Sequence, residues 1–393
     1  MDLSNWVFER FGREHYSPGL DRMRFALGEN SLQNLNKLKI VTIAGTNGKG
    51  ETTIRLASKL AGQKFAAWTS PHVRCLTERF RSHEGLISQD ELKSLLEGVY
   101  LEVITKNFKL SFYEFLFLVF CRWVEKRECD YLLLEVGLGG EFDAVNVLDA
   151  SLVLLPSISR DHQEFLGNRY DGILKEKLGV LRSKSTLISF LDLQYLNEKI
   201  QKTIKTVGAE WINLGSARGV CGFSQRNQLL AHVAYHALNN SLDPHQPMQG
   251  FVIDDSWVEN RGEVICHGAN FHLFGSHNID GMRKLIQFLH SGIYTASKLE
   301  FDTTFVSFSS RPLKDLCAMM KMLKASSVLG RVVVTSFSHP KACEASLLKE
   351  LSLQEGLEFV EDISAEISSK SEGCVLVAGS YYFLSHIKST LGQ

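Results

Sequence analysis

Proline is scarce, 7 residues in 393, and with only 30 glycines spread along the chain nothing reads as a long flexible linker, an internal repeat or a low-complexity tract. Long apolar runs are missing as well. The most apolar windows, Phe112 to Val124 and Leu132 to Val136, are broken by Glu114, Arg122 and Glu135, short of the roughly 20 apolar residues a membrane span needs. Met1 to Arg13 carries Asp2, Glu9, Arg10 and Arg13 with no apolar stretch between them, which excludes a signal-peptide core. No sign of charge dominates: 43 Lys and Arg against 44 Asp and Glu leave a formal charge of −1, so no global field draws the chain to nucleic acid or anionic lipid. The eight cysteines form no Cys-x-x-Cys pair and no zinc-ribbon spacing, and read as reduced thiols. These absences predict a soluble, cytoplasmic protein that binds neither nucleic acid nor membrane.

What is present is ordinary globular composition, 44% apolar and 22% charged, in a length that corresponds to two or three domains at about 150 residues each. Leu38–Ala44, Phe65–Thr69, Tyr131–Val136, Leu152–Ile158 and Thr186–Phe190 are short, nearly continuous apolar runs separated by helix-length segments. Such runs suit strands buried on both faces, in a mostly parallel sheet covered by helices. Ser111 to Lys126 suits a helix wedged inside the fold, on which a buried Glu114 needs a partner. The pattern turns polar at Asp254 to Asn260, and a domain boundary near residue 258 divides the chain into 1–258 and 259–393. Beyond it, Glu263–His267 and Asn270–Phe274 read as a hairpin split by Gly268. Phe305–Phe308, Arg331–Phe337, Leu357–Val360 and Cys374–Ala378 then predict a second, smaller α/β unit.

Ile40–Ala44 runs into Gly45-Thr46-Asn47-Gly48-Lys49-Gly50, and an amphipathic segment follows Glu51-Thr52-Thr53. Strand, glycine-rich turn and helix in this order form a phosphate loop: backbone N–H groups and the helix N-terminus attract phosphate oxygens, and Lys49 adds a mobile cation. Glu51 breaks the pattern, since a carboxylate aimed at phosphates repels them. The run from Asp130 ends in Glu135 and then Gly137, Gly139 and Gly140, which places Glu135 at the carboxyl edge of the sheet, where open α/β folds bind ligands. A carboxylate beside a phosphate loop is a natural Mg²⁺ ligand. His162 follows the next strand at the same edge, with a structural and a ligand role equally open. Lys177, in a helical pattern, reads on its own as solvated surface.

Together these segments resemble the folylpolyglutamate synthase and dihydrofolate synthase family, a branch of the Mur ligase superfamily. The likeness is carried by AGTNGKG at 44–50, TSPH at 69–72 with TER at 77–79, SFYE at 111–114, LEVGLGG at 134–140 with Asp143 and Asn146, and Ser159 to His162. It continues through KEKLGVLR at 175–182, Arg261, SHN at 276–278 and VLVAGS at 375–380. The resemblance implies a Mur-ligase-like P-loop ATPase domain plus a smaller C-terminal α/β domain. It also implies an ATP- and Mg²⁺-dependent ligase, a monomer, that joins L-glutamate to dihydropteroate or to the terminal glutamate of a folate through an acyl phosphate. By matching position, Gly45, Thr46, Asn47, Gly48, Lys49, Gly50 and Thr52 hold the nucleotide with Asn227, and Arg261 and His277 reach it from the second domain. Ser70, Glu135 and His162 ligate the metal, and Lys177 matches the lysine the family carbamylates. Lys49, Lys177, His162 and Glu135 are thus the expected catalytic set. Ser70, Pro71 and His72 face the folate, and Phe112–Glu114 lies where an aromatic wall is expected, with core packing at least as open a role for each of its aromatics.

The likeness has departures. Glu51 replaces a small hydroxyl residue, Glu141 an Arg, Val145 a Thr, and Glu259-Asn260 a Pro-Gly pair, while Phe274 stands where an Asp precedes the His-Asn pair. They predict two acids beside the phosphates and one acid missing from the second domain. Two other readings follow from them: a related ligase with another carboxylate acceptor, and a weakly active homologue that binds nucleotide or folate.

Overall fold

The computed structural model describes residues 3–12, 18–215, 217, 220, 222–243, 246–254, 258, 261–291 and 300–392, with Arg261 described by its backbone alone. Glu259 and Asn260 lie outside the described residues. The chain forms two compact units, Met1–Asp254 and Asp255–Gln393.

In the first unit, β1 (Lys39–Ile43), β2 (Phe65–Trp68), β3 (Phe80–Ser82) and β4 (Gly85–Leu86) are joined by β5 (Tyr131–Glu135), β6 (Leu152–Leu155), β7 (Thr186–Ser189) and β8 (Glu210–Asn213). They make one sheet in the order β4-β3-β2-β5-β1-β6-β7-β8. Pairing from β2 through β8 is parallel, and only the β2–β3 and β3–β4 pairings are antiparallel. The helices are α1 (Leu3–Phe11), α2 (Asp21–Leu35, interrupted at Gly28), α3 (Lys49–Lys59), α4 (Gln89–Thr105) and α5 (Phe112–Val124). They continue as α6 (Gln163–Leu166), α7 (Tyr170–Leu178), α8 (Gln194–Val207) and α9 (Phe223–Leu238).

Both sheet faces are covered, which is why the central strands lack polar alternation. Ile40 packs with α1, α2, α4 and α5 on one face, while Val41 and Ile43 pack with α3 and α9 on the other. The strand expected through Ile158 stops at Leu155, because Pro156 has no N–H to donate to a ladder. β3, β4 and β8 escape a reading of apolar runs because they are only two to four residues long and none is a continuous apolar run.

Helix α5 is buried all round, and its N-terminus is closed by a capping box: Glu114 N donates to Ser111 Oγ at 3.3 Å and Ser111 N to Glu114 Oε2 at 2.7 Å. The partner that the buried Glu114 needs is Arg22 of α2, whose Nη2 lies 2.8 Å from Oε1 and Nε 3.0 Å from it.

The second unit holds β9 (Arg261–His267), β10 (Ala269–Phe274), β11 (Thr303–Ser307), β12 (Arg331–Thr335), β13 (Glu358–Val360) and β14 (Cys374–Gly379). Their order is β13-β12-β11-β14-β10-β9, parallel except for the β9–β10 hairpin. Helices α10 (Ile279–His290), α11 (Leu313–Ala325), α12 (Ala345–Gln354), α13 (Ser364–Ser369) and α14 (Tyr381–Thr390) complete it. No described helix is long and apolar enough to cross a membrane.

Candidate active site

Strands β5 and β6 flank β1, so three parallel strands deliver their following loops to one edge. Ile43, the last residue of β1, is in register with Glu135 on one side and Leu154 on the other. The glycine-rich turn therefore emerges beside Glu135, and the Pro156–His162 segment emerges on its far side.

That segment anchors the turn. Thr46 N donates to Ser157 O at 3.0 Å, Asn47 N to Ser157 Oγ at 2.9 Å, and Ser157 Oγ to Asn47 O at 2.8 Å. Thr46 Oγ1 donates to Ser159 O and accepts from Ser159 N, both at 3.0 Å. The amides of Thr46 and Asn47, expected to face phosphate, are thus engaged with Ser157 instead. The first amides of α3, those of Lys49, Gly50 and Glu51, have no intrahelical partner by construction, the first such bond being Thr52 N to Gly48 O. Gly48 caps α3 at φ 92, and Lys49 Nζ curls back to donate to Thr46 O at 3.1 Å. Thr52 is fully buried, and its Oγ1 has no partner among the described residues.

Glu51 corrects an expectation: it does not confront phosphates. It is 3% exposed, accepts from Arg55 Nε at 2.9 Å and Asn227 Nδ2 at 2.7 Å, and accepts from Ser224 Oγ as well. Asn227, from α9, is completely buried and leans on the turn: a Cβ at Gly48 would lie 2.5 Å from its Oδ1.

Glu135 is 3% exposed and accepts from Ser70 N at 3.0 Å. Ser70 follows β2, the neighbour of β5, and its peptide bond to Pro71 is cis. His72 accepts at Nδ1 from Arg79 Nε (2.9 Å), which leaves Nε2 to meet Ser4 Oγ at 3.3 Å. Glu78 accepts from the amides of Val73, Arg74 and Cys75, so TSPH and TER are two ends of one tied loop. His162 heads α6 at φ 50 with its side chain 48% exposed, and the structure does not bury it with Glu135. Among the described residues no three His, Cys, Asp or Glu gather as a metal-binding group. A carboxylate and a hydroxyl residue beside a phosphate loop still suit Mg²⁺, which takes few protein oxygens and completes its shell with water and phosphate.

Lys177 is not surface. Gly140 lets α7 press against the loop after Glu135, since a Cβ there would lie 2.7 Å from Glu176 O and 3.0 Å from Lys177 Cα. The approach buries Lys177 to 4% exposure, with Nζ donating to Gly45 O at 2.8 Å. Burial first, and the Lys49 cation second, push its amine down to about 7. Glu141 packs on Gly179, and Asn146 binds Arg182 Nη2 through Oδ1 at 2.9 Å.

Of the two roles open at the expected aromatic wall, Phe112 takes core packing. Phe112 is fully buried, stacked on Phe8 at 4.6 Å, and Glu114 is committed to α5's cap and to Arg22. Neither offers a face to a ligand. Tyr113 between them is only half-buried, its hydroxyl accepting from Trp68 Nε1 and Gly137 N, both at 3.1 Å, and donating to Asp143 Oδ1 at 3.3 Å. Burial raises Asp143 to about 6 and holds the Tyr113 phenol well above its ordinary value. The sequence signal for Tyr113 is its place two residues after the Ser111 cap of a helix that starts at this edge.

In the second unit, the side chain of Arg261 is outside the described residues. His277 Nδ1 lies 3.2 Å from Gly275 O, with its ring 5.4 Å from that of Tyr381, and Asn278 caps α10. Phe274 is 8% exposed and packs with Met282, Leu285 and Leu376. It is a core residue in this unit, so no polar group has taken the place of an acid there.

No protein-family model matches the chain. It is 26% identical over 437 aligned positions, covering 100% of this chain and 99% of the relative, to a dihydrofolate synthase/folylpolyglutamate synthase of Bacillus subtilis (strain 168). A solved structure of the bifunctional folylpolyglutamate synthase/dihydrofolate synthase of Yersinia pestis, complexed with AMPPNP and Mn ion, matches with TM-score 0.77 at 22% identity over 100% of this chain and 98% of that one. Another structure of a bifunctional enzyme of this name, with Mn, AMPPNP and L-glutamate bound, matches with TM-score 0.76 at 22% identity and the same coverage. These two likenesses are of fold.

Proposed function

We propose that the chain is a member of the dihydrofolate synthase/folylpolyglutamate synthase family, which its motifs and its end-to-end alignment support, and that it is an ATP-dependent ligase joining L-glutamate to dihydropteroate, to the terminal glutamate of a folate, or to both. The observation that carries this is the meeting of phosphate loop, Glu135 and Lys177 at the ends of neighbouring parallel strands.

A carboxylate is a poor electrophile. Transfer of the γ-phosphoryl group of ATP to the acceptor's carboxylate oxygen makes an acyl phosphate; the amine of glutamate then attacks the carbonyl carbon, phosphate leaves, and an amide remains. The protein's contribution is position and charge. Lys49 and the helix N-terminus at Gly48–Gly50 hold the phosphates, with Asn227 bracing the turn. Ser70 and Glu135, with His162, would hold Mg²⁺, which when bound neutralises phosphate charge. Lys177 is suited to carbamylation because an amine near 7 is largely neutral at cytoplasmic pH: its lone pair attacks the carbon of CO₂, one proton is lost to solvent, and the neutral amine becomes an anionic carbamate. The tied loop at Ser70–His72 and half-buried Tyr113 face the acceptor. The enzyme works in the cytoplasm as a monomer; the described cysteines are all free thiols, as a reducing compartment keeps them.

Release of ADP with ATP, Mg²⁺ and glutamate, compared across dihydropteroate, tetrahydrofolate and no acceptor, tests this. Acceptor-dependent ADP and a product heavier by one glutamyl unit are expected. Turnover with neither acceptor would point instead to a different carboxylate.

A further inference from the structure

We propose that Glu51 is a positioning residue for the nucleotide loop, setting the Gly48 turn through Asn227; the inference rests on the reading that this loop binds nucleotide. A carboxylate only accepts hydrogen bonds, so Asn227 must turn Nδ2 toward Glu51, at 2.7 Å, and its carbonyl the other way. That amide then packs on Gly48, where a Cβ would lie 2.5 Å from Oδ1 and 3.0 Å from Nδ2. Oδ1 is buried without a partner among the described residues. An orphaned buried carbonyl is unfavourable, so its own bonding does not hold the amide in this orientation. The anchor is Glu51, fixed in turn by Arg55 Nε at 2.9 Å and by Ser224 Oγ. The chain of contacts runs from Glu51 to Asn227 to Gly48, the residue that aims the first amides of α3. Where the family carries a small hydroxyl residue, this protein uses a buried ion pair.

A merely structural role, tying α3 to α9, predicts lost stability with unchanged nucleotide affinity. The two roles separate in a double variant. Glu51→Leu with Arg55→Leu removes both buried charges, leaves the exposed Asp254 without its distant Arg55 contact, and should unfold near the wild-type temperature, yet it still releases Asn227. Calorimetric titration of the full chain with Mg²⁺-AMPPNP should show binding about tenfold weaker in this double variant and in Glu51→Gln, equivalent to about 1.4 kcal/mol. Wild-type affinity in either variant overturns the proposal, and Glu51→Gln decides alone if the double variant does not fold. Absence of AMPPNP binding by the wild-type protein would overturn the nucleotide reading itself, and this inference with it.

Discussion

Lys177→Met should remove a pH dependence from the stability of the first unit. The lysine has an ordinary value of 10.5 and is pushed down to about 7 in the fold. Below pH 7 both folded and unfolded chains hold the proton, and the full cost of burying an ammonium is present. Between 7 and 10.5 the unfolded chain holds it and the folded chain does not, so stability rises with pH; above 10.5 both are neutral and the cost is gone. At about 1.36 kcal/mol per unit the whole effect is on the order of 4 to 5 kcal/mol. From pH 7.5 to 9.5, wild type should therefore gain roughly 2.5 kcal/mol relative to Lys177→Met. Urea unfolding of both proteins in bicarbonate-free buffers measures the difference. A difference that stays flat across that range would refute the buried, neutral amine and with it the ground for carbamylation. The Met variant should be as stable as wild type or more so at pH 7, and inactive.

Three other substitutions probe the site's surroundings. Glu114→Gln keeps a capping residue and leaves Arg22 partly in water, so it should cost about 1–2 kcal/mol without changing KM for the acceptor; a raised KM with unchanged stability would make Glu114 a ligand group. Gly140→Ala forces a Cβ to within 2.7 Å of the Glu176 carbonyl, so α7 must shift. Turnover should then fall on the order of a hundredfold, whereas near-normal turnover would show that Lys177 does not need this approach. Phe274→Asp buries a carboxylate among apolar side chains and should destabilise the second unit by about 3–5 kcal/mol with no gain in ATP affinity, both read by thermal unfolding and titration; tighter ATP binding would contradict the core assignment.

The parts legible in the sequence are those encoded locally. A strand, six residues with three glycines and a helix specify the phosphate loop, and an apolar run ending in Glu135 specifies the strand end. The buried helix at 112–124 was legible too, but its partner Arg22 lies 92 residues away from Glu114. Glu51 misled for the same reason: the residues that turn it inward, Ser224 and Asn227, come from a helix more than 170 residues later. Lys177 looks like surface by spacing, and the glycines at 139 and 140 let its helix come close enough to bury it. In SFYE, the cap commits Glu114 and the core takes Phe112, while Tyr113 stays half-buried with its hydroxyl on Asp143.

The central claim is that an acceptor carboxylate is activated by phosphorylation and then captured by glutamate. Turnover with an acceptor carrying oxygen-18 in both carboxylate oxygens tests it most directly. One labelled oxygen should appear in the released phosphate for each amide formed, the other remaining in the glutamyl product. Unlabelled phosphate alongside normal amide formation would contradict the acyl phosphate, and phosphate release without any amide would contradict the ligase.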